Sequence, residues 1–419
     1  MPDPNLDARR DRALRAWNLS NEIVLIHAGH PIQKPGGFDQ CYPFAPHPHY
    51  RWLTNQKRPG SVLAFDPTSG WQHFVEPVTE HERVWDGDPP EPVGLPVAEL
   101  EQWKVARAGR PVVNLGSSDE TGDLAEPLTT ALDHERRKKD DWEVALMRRT
   151  ASATAAGYAL MPEVIRPGVT ERQIQIELEA GFARAGADGT GYASIVGTGT
   201  NSRVFHFTPG GKAVAPEDLI LIDAGAMIDD YVIDVTRTYT ATGKWEGRHA
   251  DVRAIVRAAQ EAVFALCKPG VRWSECHRAA AMVIAQGLAD LGLSKVSAQD
   301  LCESGAVALF LPHGVGHAVG LGVRDSGGAM PGAPKEPSKV CGVNIRVDLP
   351  LEPGFVMTIE PGLYIIPALL DKEETRSKFA DVFYWDRLES WKTFGGLRLE
   401  DNLLITDSEP ENLTAMIPW

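Results

Sequence analysis

The sequence predicts a mixed α/β (α+β) protein with two domains, over residues 1–135 and 136–419. Four observations lead to this prediction. Strand-like and helix-like segments alternate through the first third of the chain, and a charged run, Asp133–Asp141, separates that third from the rest. The rest contains one short motif twice, which is typical of a domain built from two related halves. A chain of 419 residues is long enough for two or three domains.

The first third is predicted to form a small sheet with helices beside it. Turn-forming residues in Asp66-Pro-Thr-Ser-Gly70 separate two apolar runs, as expected between adjacent strands. The predicted elements are strands at Glu22–Ile26, Ser61–Phe65, Trp71–Val75 and Pro111–Leu115, and a helix at Val97–Ala108. The charged run Asp133–Asp141 is interpreted as a solvated boundary rather than a binding site. The apolar residues Trp142, Leu146 and Met147 predict a helix after it.

The repeated motif predicts the organisation of the second domain. Arg166-Pro-Gly-Val-Thr170 and Lys268-Pro-Gly-Val-Arg272 each precede a helical pattern, Glu171–Ala185 in the first copy and Ser274–Leu291 in the second. Thr170 and Gln173 form a capping-box pattern, which sets the start of the first helix. One unit used twice predicts a pseudo-symmetric α/β domain with its active centre between the halves. Because the similarity covers only about a dozen positions, chance is the alternative.

Composition excludes several classes of protein. Hydrophobic residues make up 43% and charged residues 24%, which is typical of globular proteins. The formal net charge of −15 disfavours a nucleic-acid partner, because the chain would repel a phosphate backbone. No stretch approaches the roughly 18 apolar residues of a membrane span, and the charged segment Met1–Trp17 lacks the apolar core of a signal peptide. Five scattered cysteines without a CxxC pair argue against a disulfide framework and a cysteine zinc site. We therefore expect a cytoplasmic protein.

Two aspartates lie in neighbouring strand-like runs. Leu219–Ala226 and Tyr231–Tyr239 predict a hairpin centred near residues 228–229, which would place Asp223 and Asp234 nearly opposite each other on one face. Two carboxylates in such a position repel unless a cation lies between them, so the pattern favours a metal site. The alternative is a pair of solvated strand aspartates, which the apolar surroundings disfavour.

A histidine motif follows in Pro312-His313-Gly-Val-Gly-His317. Its glycines favour a loop over a helix, and the glutamate of the HExxH motif is missing, so a zincin-type site is excluded. A single histidine is more often structural than a ligand. The surrounding acidic residues favour a ligand role for His317.

Two glutamates complete a candidate ligand set. Glu360 is predicted at the end of the apolar strand Phe355–Ile359, and Glu400 is predicted to share one strand face with Arg398 in Gly396–Ile405. Four carboxylates and one imidazole suit divalent ions such as Mn²⁺, Co²⁺ or Zn²⁺. Such a set is large enough to bridge two ions.

Taken together, these motifs resemble the pita-bread metallopeptidases and, within them, the prolidases, which are Xaa-Pro dipeptidases. The resemblance extends over essentially the whole chain and rests on the segments Cys41–Tyr50, Ile195–His206, Glu360–Leu370 and Phe394–Asn402. It implies a creatinase-like N-terminal domain followed by a pita-bread catalytic domain, and a homodimer. It also implies metal ligands at Asp223, Asp234, His317, Glu360 and Glu400, with Asp234 and Glu400 bridging two divalent ions, Mn²⁺ before Co²⁺ or Zn²⁺.

The resemblance further implies hydrolysis of small Xaa-Pro peptides and roles for individual residues. Glu360 would take the proton of the attacking water, and His206 and His313 would orient the peptide and stabilise the developing charge. Arg376 would bind the proline carboxylate in bidentate fashion. The remaining substrate-side residues are Tyr364, Arg324 and Arg398, of which Arg398 would support the metal-binding carboxylates.

One residue departs from the family pattern. The motif after His317 normally ends in a histidine followed by an acidic residue, and here Arg324 takes the place of that histidine before Asp325. The family histidine is not a metal ligand, so the change affects substrate recognition. A permanent guanidinium charge would attract a peptide carboxylate and favour short substrates. The alternative is that Arg324 pairs with Asp325 or with a nearby glutamate.

Two other functions compete with Xaa-Pro dipeptidase activity. An aminopeptidase P would share the metal centre but admit longer peptides into an open site. A non-catalytic binding protein on the pita-bread fold, or a metal-free hydrolase of the creatinase kind, would have lost metal ligands. All five ligand positions are present here, which disfavours both of these.

Overall fold

The computed structural model describes residues 3–87, 89–116, 123–327, 338–345 and 347–418. The chain divides into two compact units, Met1–Arg136 and Arg137–Trp419. Within the described residues, no helix combines the length and the apolar composition that crossing a membrane requires. The five cysteines are unbridged in the structure, and only Cys41 is exposed.

The N-terminal unit is built on a five-stranded mixed sheet. Its elements are α1 (Leu6–Trp17), β1 (Ile23–His27), α2 (Pro48–Thr54), β2 (Val62–Asp66), β3 (Gly70–Val75), α3 (Glu80–Trp85), β4 (Leu95–Pro96), α4 (Leu100–Val105), β5 (Val112–Leu115) and α5 (Ala125–Arg137). The strand order is β4-β3-β2-β1-β5, with β1 antiparallel to β2 and parallel to β5. The predicted strands are confirmed to within one residue. The predicted helix Val97–Ala108 is shorter, a 3₁₀ turn followed by α4.

The sheet of the N-terminal unit buries alternate side chains on one face. Ile23 and Leu25 of β1 pack with Val62 and Ala64 of β2, as expected where successive side chains point to opposite faces. The predicted turn after β2 is held by Asp66 itself, which accepts hydrogen bonds from the Thr68 N–H and the Ser69 hydroxyl, both at 2.9 Å.

The C-terminal unit has two halves. The first half contains α6 (Asp141–Tyr158), α7 (Met161–Val164), α8 (Glu171–Arg184), β6 (Gly189–Thr190), β7 (Ile195–Thr198), β8 (Leu219–Asp223), β9 (Ala226–Ile228), β10 (Tyr231–Val232) and β11 (Thr236–Thr240). The second half contains α9 (Gly247–Leu266), α10 (Trp273–Asp290), α11 (Ala298–Glu303), β12 (Ser338–Val340), β13 (Val343–Ile345), β14 (Val356–Ile359), β15 (Gly362–Tyr364), α12 (Pro367–Leu370), α13 (Glu373–Lys378), α14 (Trp385–Glu389), β16 (Gly396–Arg398), β17 (Asp401–Leu404) and β18 (Glu411–Asn412). The strands form separate small sheets, among them β11-β8-β7 in the first half and β14-β17-β18 in the second.

Matching backbone hydrogen bonds confirm the internal repeat. In the first half the Gly168 N–H donates to the Val214 carbonyl at 2.9 Å, and the Val214 N–H donates to the Val169 carbonyl at 2.8 Å. In the second half the Gly270 N–H donates to the Leu351 carbonyl at 2.8 Å, and the Leu351 N–H donates to the Val271 carbonyl at 2.8 Å. Each helix that follows, α8 and α10, starts within one residue of its predicted position. The two motifs therefore have one backbone structure.

The first helix start is capped as predicted. Thr170 accepts a hydrogen bond from the backbone of Gln173, and the Gln173 side chain accepts one from the Thr170 N–H. This reciprocal pair satisfies N–H groups that have no partner within the helix.

The charged run Asp133–Asp141 is not the solvated segment that the sequence predicted. The side chains of Arg136, Arg137 and Lys139 are buried. Lys139 lies 3.0 Å from the carboxylate of Asp325, with both side chains 1% exposed. Charge density alone could not show this, because the partner is distant in the sequence and a buried ion pair needs its partner in place.

Candidate metal centre and active site

A hairpin positions the two aspartates, although not as predicted. Thr236 lies opposite Asp223, and the hairpin turns at Asp229-Asp230, whose φ angles of 55° and 70° are those of a two-residue turn. The hairpin is confirmed, but its centre lies further along the chain than predicted. Asp223 and Asp234 are therefore not directly opposed. The register places Gly225 across from Asp234. A Cβ added to Gly225 would lie 1.5 Å from the Ile233 carbonyl oxygen, so only glycine fits at this position.

The two aspartates nevertheless meet at one hydroxyl group. The Tyr192 oxygen lies 2.8 Å from the Asp223 carboxylate and 2.6 Å from the Asp234 carboxylate. One phenol proton can satisfy only one of these contacts, so the second needs another proton or a cation. Burial raises the pKa of Asp223 to about 6, and the Asp234 charge adds to this effect, although Arg398 opposes it. This crowding of acceptor oxygens fits a cation site.

The two glutamates come from adjacent strands of the second half. Ile359 pairs with Asp401, so Glu360, directly after β14, and Glu400, directly before β17, lie at the same end of this strand pair. Glu400 also accepts a hydrogen bond from the Thr236 hydroxyl at 2.8 Å, which links it to the aspartate hairpin. The predicted continuous strand over Gly396–Ile405 is wrong, because Leu399 and Glu400 interrupt it. Arg398 and Glu400 still lie together, with 4.0 Å between Nε and Oε2.

His317 presents one nitrogen to this cluster. It lies in the predicted loop, and its N–H donates to the Thr358 hydroxyl at 3.0 Å. Its Nδ1 lies 3.0 Å from the Ala318 carbonyl, which can only accept, so Nδ1 carries the proton. Nε2 faces Asp234 at 3.4 Å and Glu360 at 3.8 Å, and in the neutral form of the ring it carries the lone pair. A neutral imidazole in this tautomer is the form that binds a metal.

Three buried side chains form the centre of the cluster. One ligand atom each of Asp234, His317 and Glu400 lies within 4.8 Å of the others. Burial and the charges of Asp234, Glu360 and Asp223 raise the pKa of Glu400 well above its ordinary value. Burial likewise raises the pKa of Glu360 to about 7. This donor set, rich in carboxylate oxygen with one imidazole, fits divalent cations.

A second network lies beside the carboxylates. Arg398 forms a close ion pair with Asp223 and donates to the Tyr364 hydroxyl at 3.0 Å. That hydroxyl lies 3.0 Å from Nε2 of His313, whose Nδ1 lies 2.8 Å from the Gly314 carbonyl. Burial and the charge of Arg398 lower the pKa of His313 to about 3, so its imidazole is neutral. The structure therefore places the predicted residues Arg398, Tyr364 and His313 at the cluster.

The cluster is open on the side of Glu360 and His313. Their side chains are 16% and 21% exposed, whereas that of Glu400 is 2% exposed. Phe205 packs edge-on against His313 and Tyr364, with ring centroids 5.3 and 4.9 Å apart. His206 follows it in an exposed turn, outside the hydrogen-bonded network of the described residues. The predicted catalytic role of His206 stays a prediction.

Arg376 does not join the cluster in this structure. It lies on α13, and its guanidinium donates to Asp371 at 2.8 Å, to Glu389 at 2.6 Å and to the Leu370 carbonyl at 2.9 Å. A substrate carboxylate would have to compete with these acceptors. Its predicted role as a carboxylate clamp therefore has no support from its contacts.

Arg324 is exposed, and the alternative pairing with Asp325 is wrong. The Asp325 carboxylate binds Lys139 instead, and among the described residues Arg324 forms no ion pair. Its positive charge lowers the pKa of His313, after burial and Arg398, and opposes the carboxylates that raise the pKa of His317. The charge of Arg324 thus acts on both histidines of the site.

Three supporting residues were not predicted from the sequence. Tyr192 bridges the two aspartates, and Thr236 contacts Glu400. Asn402 accepts a hydrogen bond from the Asp234 N–H at 3.0 Å and donates to the Asp234 carbonyl. Thr236 lies two residues beyond Asp234, and this spacing could have identified it. Nothing in the local sequence distinguishes Tyr192.

Comparisons with known proteins match both units. The family model described as metallopeptidase family M24 matches residues 145–407, and the one described as aminopeptidase P, N-terminal domain, matches residues 6–97. An Xaa-Pro dipeptidase of Stenotrophomonas maltophilia is 33% identical over 408 residues, which cover 90% of this chain and 88% of that protein. A probable Xaa-Pro aminopeptidase of Aspergillus niger is 30% identical over 437 residues, which cover 97% of this chain and 88% of that protein. The solved structure of Pseudomonas aeruginosa aminopeptidase PepP has a TM-score of 0.81 at 27% identity and covers all of this chain and 96% of its own.

Proposed function

Because the chain belongs to metallopeptidase family M24, with an aminopeptidase P N-terminal domain before the catalytic domain, we propose that it hydrolyses Xaa-Pro dipeptides and releases proline. The observation that carries this proposal is the buried convergence of Asp234, His317 and Glu400, with Asp223 and Glu360 at its edge. The Xaa-Pro dipeptidase of Stenotrophomonas maltophilia, similar over 90% of the chain, supports the dipeptide substrate.

The five clustered residues would hold two divalent cations. Asp234 and Glu400 would hold them from the buried centre of the cluster. The resemblance favours Mn²⁺ before Co²⁺ or Zn²⁺, all of which accept carboxylate and imidazole ligands. When bound, two such cations lower the pKa of a shared water and supply hydroxide near neutral pH. Among the described residues the site combines four carboxylates, three of them buried, with one imidazole, and Arg398 contacts Asp223 and Glu400, so added positive charge would stabilise the site.

Glu360 is suited to move a proton. Its carboxylate lies on the open side of the cluster, with the side chain 16% exposed, and lies 3.7 Å from His313. A carboxylate of this kind can accept a proton from the attacking water and then return it. The imide nitrogen of an Xaa-Pro bond has no N–H, so it must gain that proton before proline can leave.

His313 and Tyr364 would position the peptide beside the nucleophile. Nδ1 of His313 donates to the Gly314 carbonyl, so Nε2 accepts from the Tyr364 hydroxyl, which in turn accepts from Arg398. This chain of hydrogen bonds sets the orientation of the imidazole before substrate arrives. Phe205 closes one side with an apolar surface on which a proline ring could pack.

The second candidate function is aminopeptidase P activity on longer Xaa-Pro peptides. The names of the Aspergillus niger and Pseudomonas aeruginosa relatives favour it. The experiment is hydrolysis of Ala-Pro and Ala-Pro-Ala with Mn²⁺ and with chelator. We expect metal-dependent cleavage that is faster on the dipeptide. Equal rates would favour the aminopeptidase, and cleavage of neither peptide would refute both proposals.

Assembly and location remain predictions. The homodimer implied by the resemblance can be tested by light scattering after gel filtration, where a monomer mass would refute it. The cytoplasmic location can be tested by fractionation of cells that express the untagged chain.

A further inference from the structure

A buried glutamine lies behind the two glutamates of the site. Gln260 lies on α9, and the residues one turn before and after it, Val256 and Val263, belong to the apolar core. Gln260 itself is fully buried. Burying an amide costs free energy unless its donors and its acceptor have partners. The partners of Gln260 therefore indicate what this polar side chain does in the core.

The amide of Gln260 contacts both strands that carry the glutamates. Its Nε2 donates to the Asp401 carboxylate at 3.0 Å and makes a longer contact of 3.4 Å with the Ile359 carbonyl. Ile359 and Asp401 are paired across β14 and β17. Glu360 directly follows Ile359, and Glu400 directly precedes Asp401. One side chain thus joins the two strand ends that position the glutamates.

The neighbours of this amide determine its orientation. A carbonyl and an ionised carboxylate only accept hydrogen bonds, so the NH₂ group of Gln260 must face Ile359 and Asp401. At the other end of the amide, Arg257 donates to Oε1 at 3.2 Å. A glutamate at position 260 would have no N–H for Asp401, and its charge would repel that carboxylate. These contacts therefore require an amide rather than an acid.

Asp401 connects this glutamine to the aspartate hairpin. Its carboxylate accepts hydrogen bonds from Arg237 of β11 at 2.8 Å and from the Thr414 hydroxyl at 2.7 Å. Arg237 also donates to the Glu400 carbonyl at 2.7 Å. The side chains of Arg237 and Asp401 are 2% and 6% exposed, so salt screens their interaction little. The backbone around Glu400 is thus held from α9 and from β11.

We propose that Gln260 is a positioning residue, which fixes Glu360 relative to Glu400 and so sets the affinity of the site for divalent cations. This inference rests on the proposed function and extends it to a residue behind the ligands. Residues that orient metal ligands from outside the coordination sphere change metal affinity by about 10–100-fold when they are replaced. Because Gln260 contacts both strand ends, its loss acts on both glutamates.

The test is calorimetric titration of the metal-free protein with Mn²⁺. Gln260→Met keeps the length of the side chain and removes its N–H donors. We expect the affinity for Mn²⁺ to fall by about 10–100-fold, and KM for Ala-Pro at saturating Mn²⁺ to change by about twofold or less. Val263→Ala truncates a buried side chain of the same helix and is the matched control for lost stability. It should lower Tm without weakening Mn²⁺ binding.

A second variant removes the same hydrogen bond from its other end. Asp401→Asn can place an NH₂ group against that of Gln260, and it decides the question if Gln260→Met does not fold. Its affinity for Mn²⁺ should fall by at least as much as that of Gln260→Met, because the contact with Arg237 is weakened too. If both substitutions break one hydrogen bond, the double variant should bind Mn²⁺ about as well as Asp401→Asn alone.

Three outcomes would overturn the inference. Unchanged Mn²⁺ affinity in Gln260→Met would give Gln260 a packing role only. An equal loss of affinity in Val263→Ala would attribute the effect to a general loss of stability. A double variant whose loss is the product of the two single losses would show that Gln260 and Asp401 act independently.

The same titration separates this inference from the proposed function. A parent that binds Mn²⁺ but cleaves neither Ala-Pro nor Ala-Pro-Ala would refute the peptidase activity, and the affinities of the variants would still decide the role of Gln260. A parent that binds no Mn²⁺ would refute the metal centre and this inference together.

Discussion

Removing metal should make the stability of the C-terminal unit depend on pH in a specific direction. In the metal-free protein burial raises the pKa of Asp223 to about 6 and that of Glu360 to about 7. The unfolded chain has ordinary carboxyl pKa values of about 4. A group with a raised folded pKa stabilises the fold below its unfolded pKa and loses this contribution as pH rises through its folded pKa. The loss therefore occurs between about pH 4 and pH 7.

The expected magnitude follows from these pKa values. A folded pKa about two above the unfolded value corresponds to about 3 kcal/mol, because a tenfold change in proton affinity is about 1.4 kcal/mol. The contributions of Asp223 and Glu360 are not additive, since both interact with Asp234. The raised pKa of His317, caused by Asp234 and Glu360 against burial, acts in the same direction. For a unit of this length, about 3 kcal/mol lowers Tm by roughly 5 °C.

The assay is thermal or urea unfolding of chelator-treated and Mn²⁺-loaded protein at pH 5 and pH 8. We expect metal-free protein to be less stable at pH 8, and Mn²⁺ to raise stability more at pH 8 than at pH 5. Glu360→Gln imitates the protonated carboxyl, so the metal-free variant should be more stable than the parent at pH 8. Glu409→Gln changes an exposed carboxyl, 82% accessible, and is the control. A metal-free parent that is equally stable at both pH values would refute the reasoning.

Three further predictions concern single contacts. Asp234→Ala should reduce bound metal below two ions per chain and lower kcat by several orders of magnitude, and full metal content by mass spectrometry with normal turnover would contradict the ligand assignment. Asp66→Asn should cost about 2–3 kcal/mol at pH 7, because Thr68, Arg107 and Arg110 outweigh burial and hold the Asp66 pKa well below its usual range. This stability is present above about pH 4 and lost at lower pH. The difference in unfolding free energy between Asp66→Asn and the parent should therefore disappear in unfolding curves measured in acid. Lys139→Met should cost about 3–5 kcal/mol by leaving the Asp325 charge buried, and a urea midpoint equal to that of the parent would show that the pair contributes nothing.

The sequence predicted the parts of the fold that local patterns determine. The capping box at Thr170, the turn at Asp66 and the strands around it depend on neighbouring residues, and all are present. Glu360 lies at the strand end where its Pro-Gly neighbours predicted it. The family resemblance predicted the ligand set because its motifs occur together along the chain, and the structure brings these side chains close together.

The details that failed depend on contacts between distant segments. A hairpin register follows from turn geometry, and Asp229-Asp230 supplies two left-handed residues that a search for glycine overlooks. The burial of Lys139 depends on Asp325, about 190 positions away in the sequence. Tyr192 could not be predicted, because a tyrosine shows its hydrogen-bond partners only when the strands that carry them are assembled.

The internal repeat explains why the four carboxylates converge between the halves. Asp223 lies nine residues after Val214, and Glu360 lies nine residues after Leu351, the two residues that make equivalent backbone hydrogen bonds. The same unit thus ends a strand with a carboxylate in each half, and the Thr236–Glu400 hydrogen bond shows that the two strand ends meet. The first half alone would carry the buried Asp223 and Asp234 without Arg398, which lies in the second half, and burying such a pair costs free energy. Cations bound between them would stabilise the contact of the halves as well as the reaction, because only the folded arrangement brings all the carboxylates together.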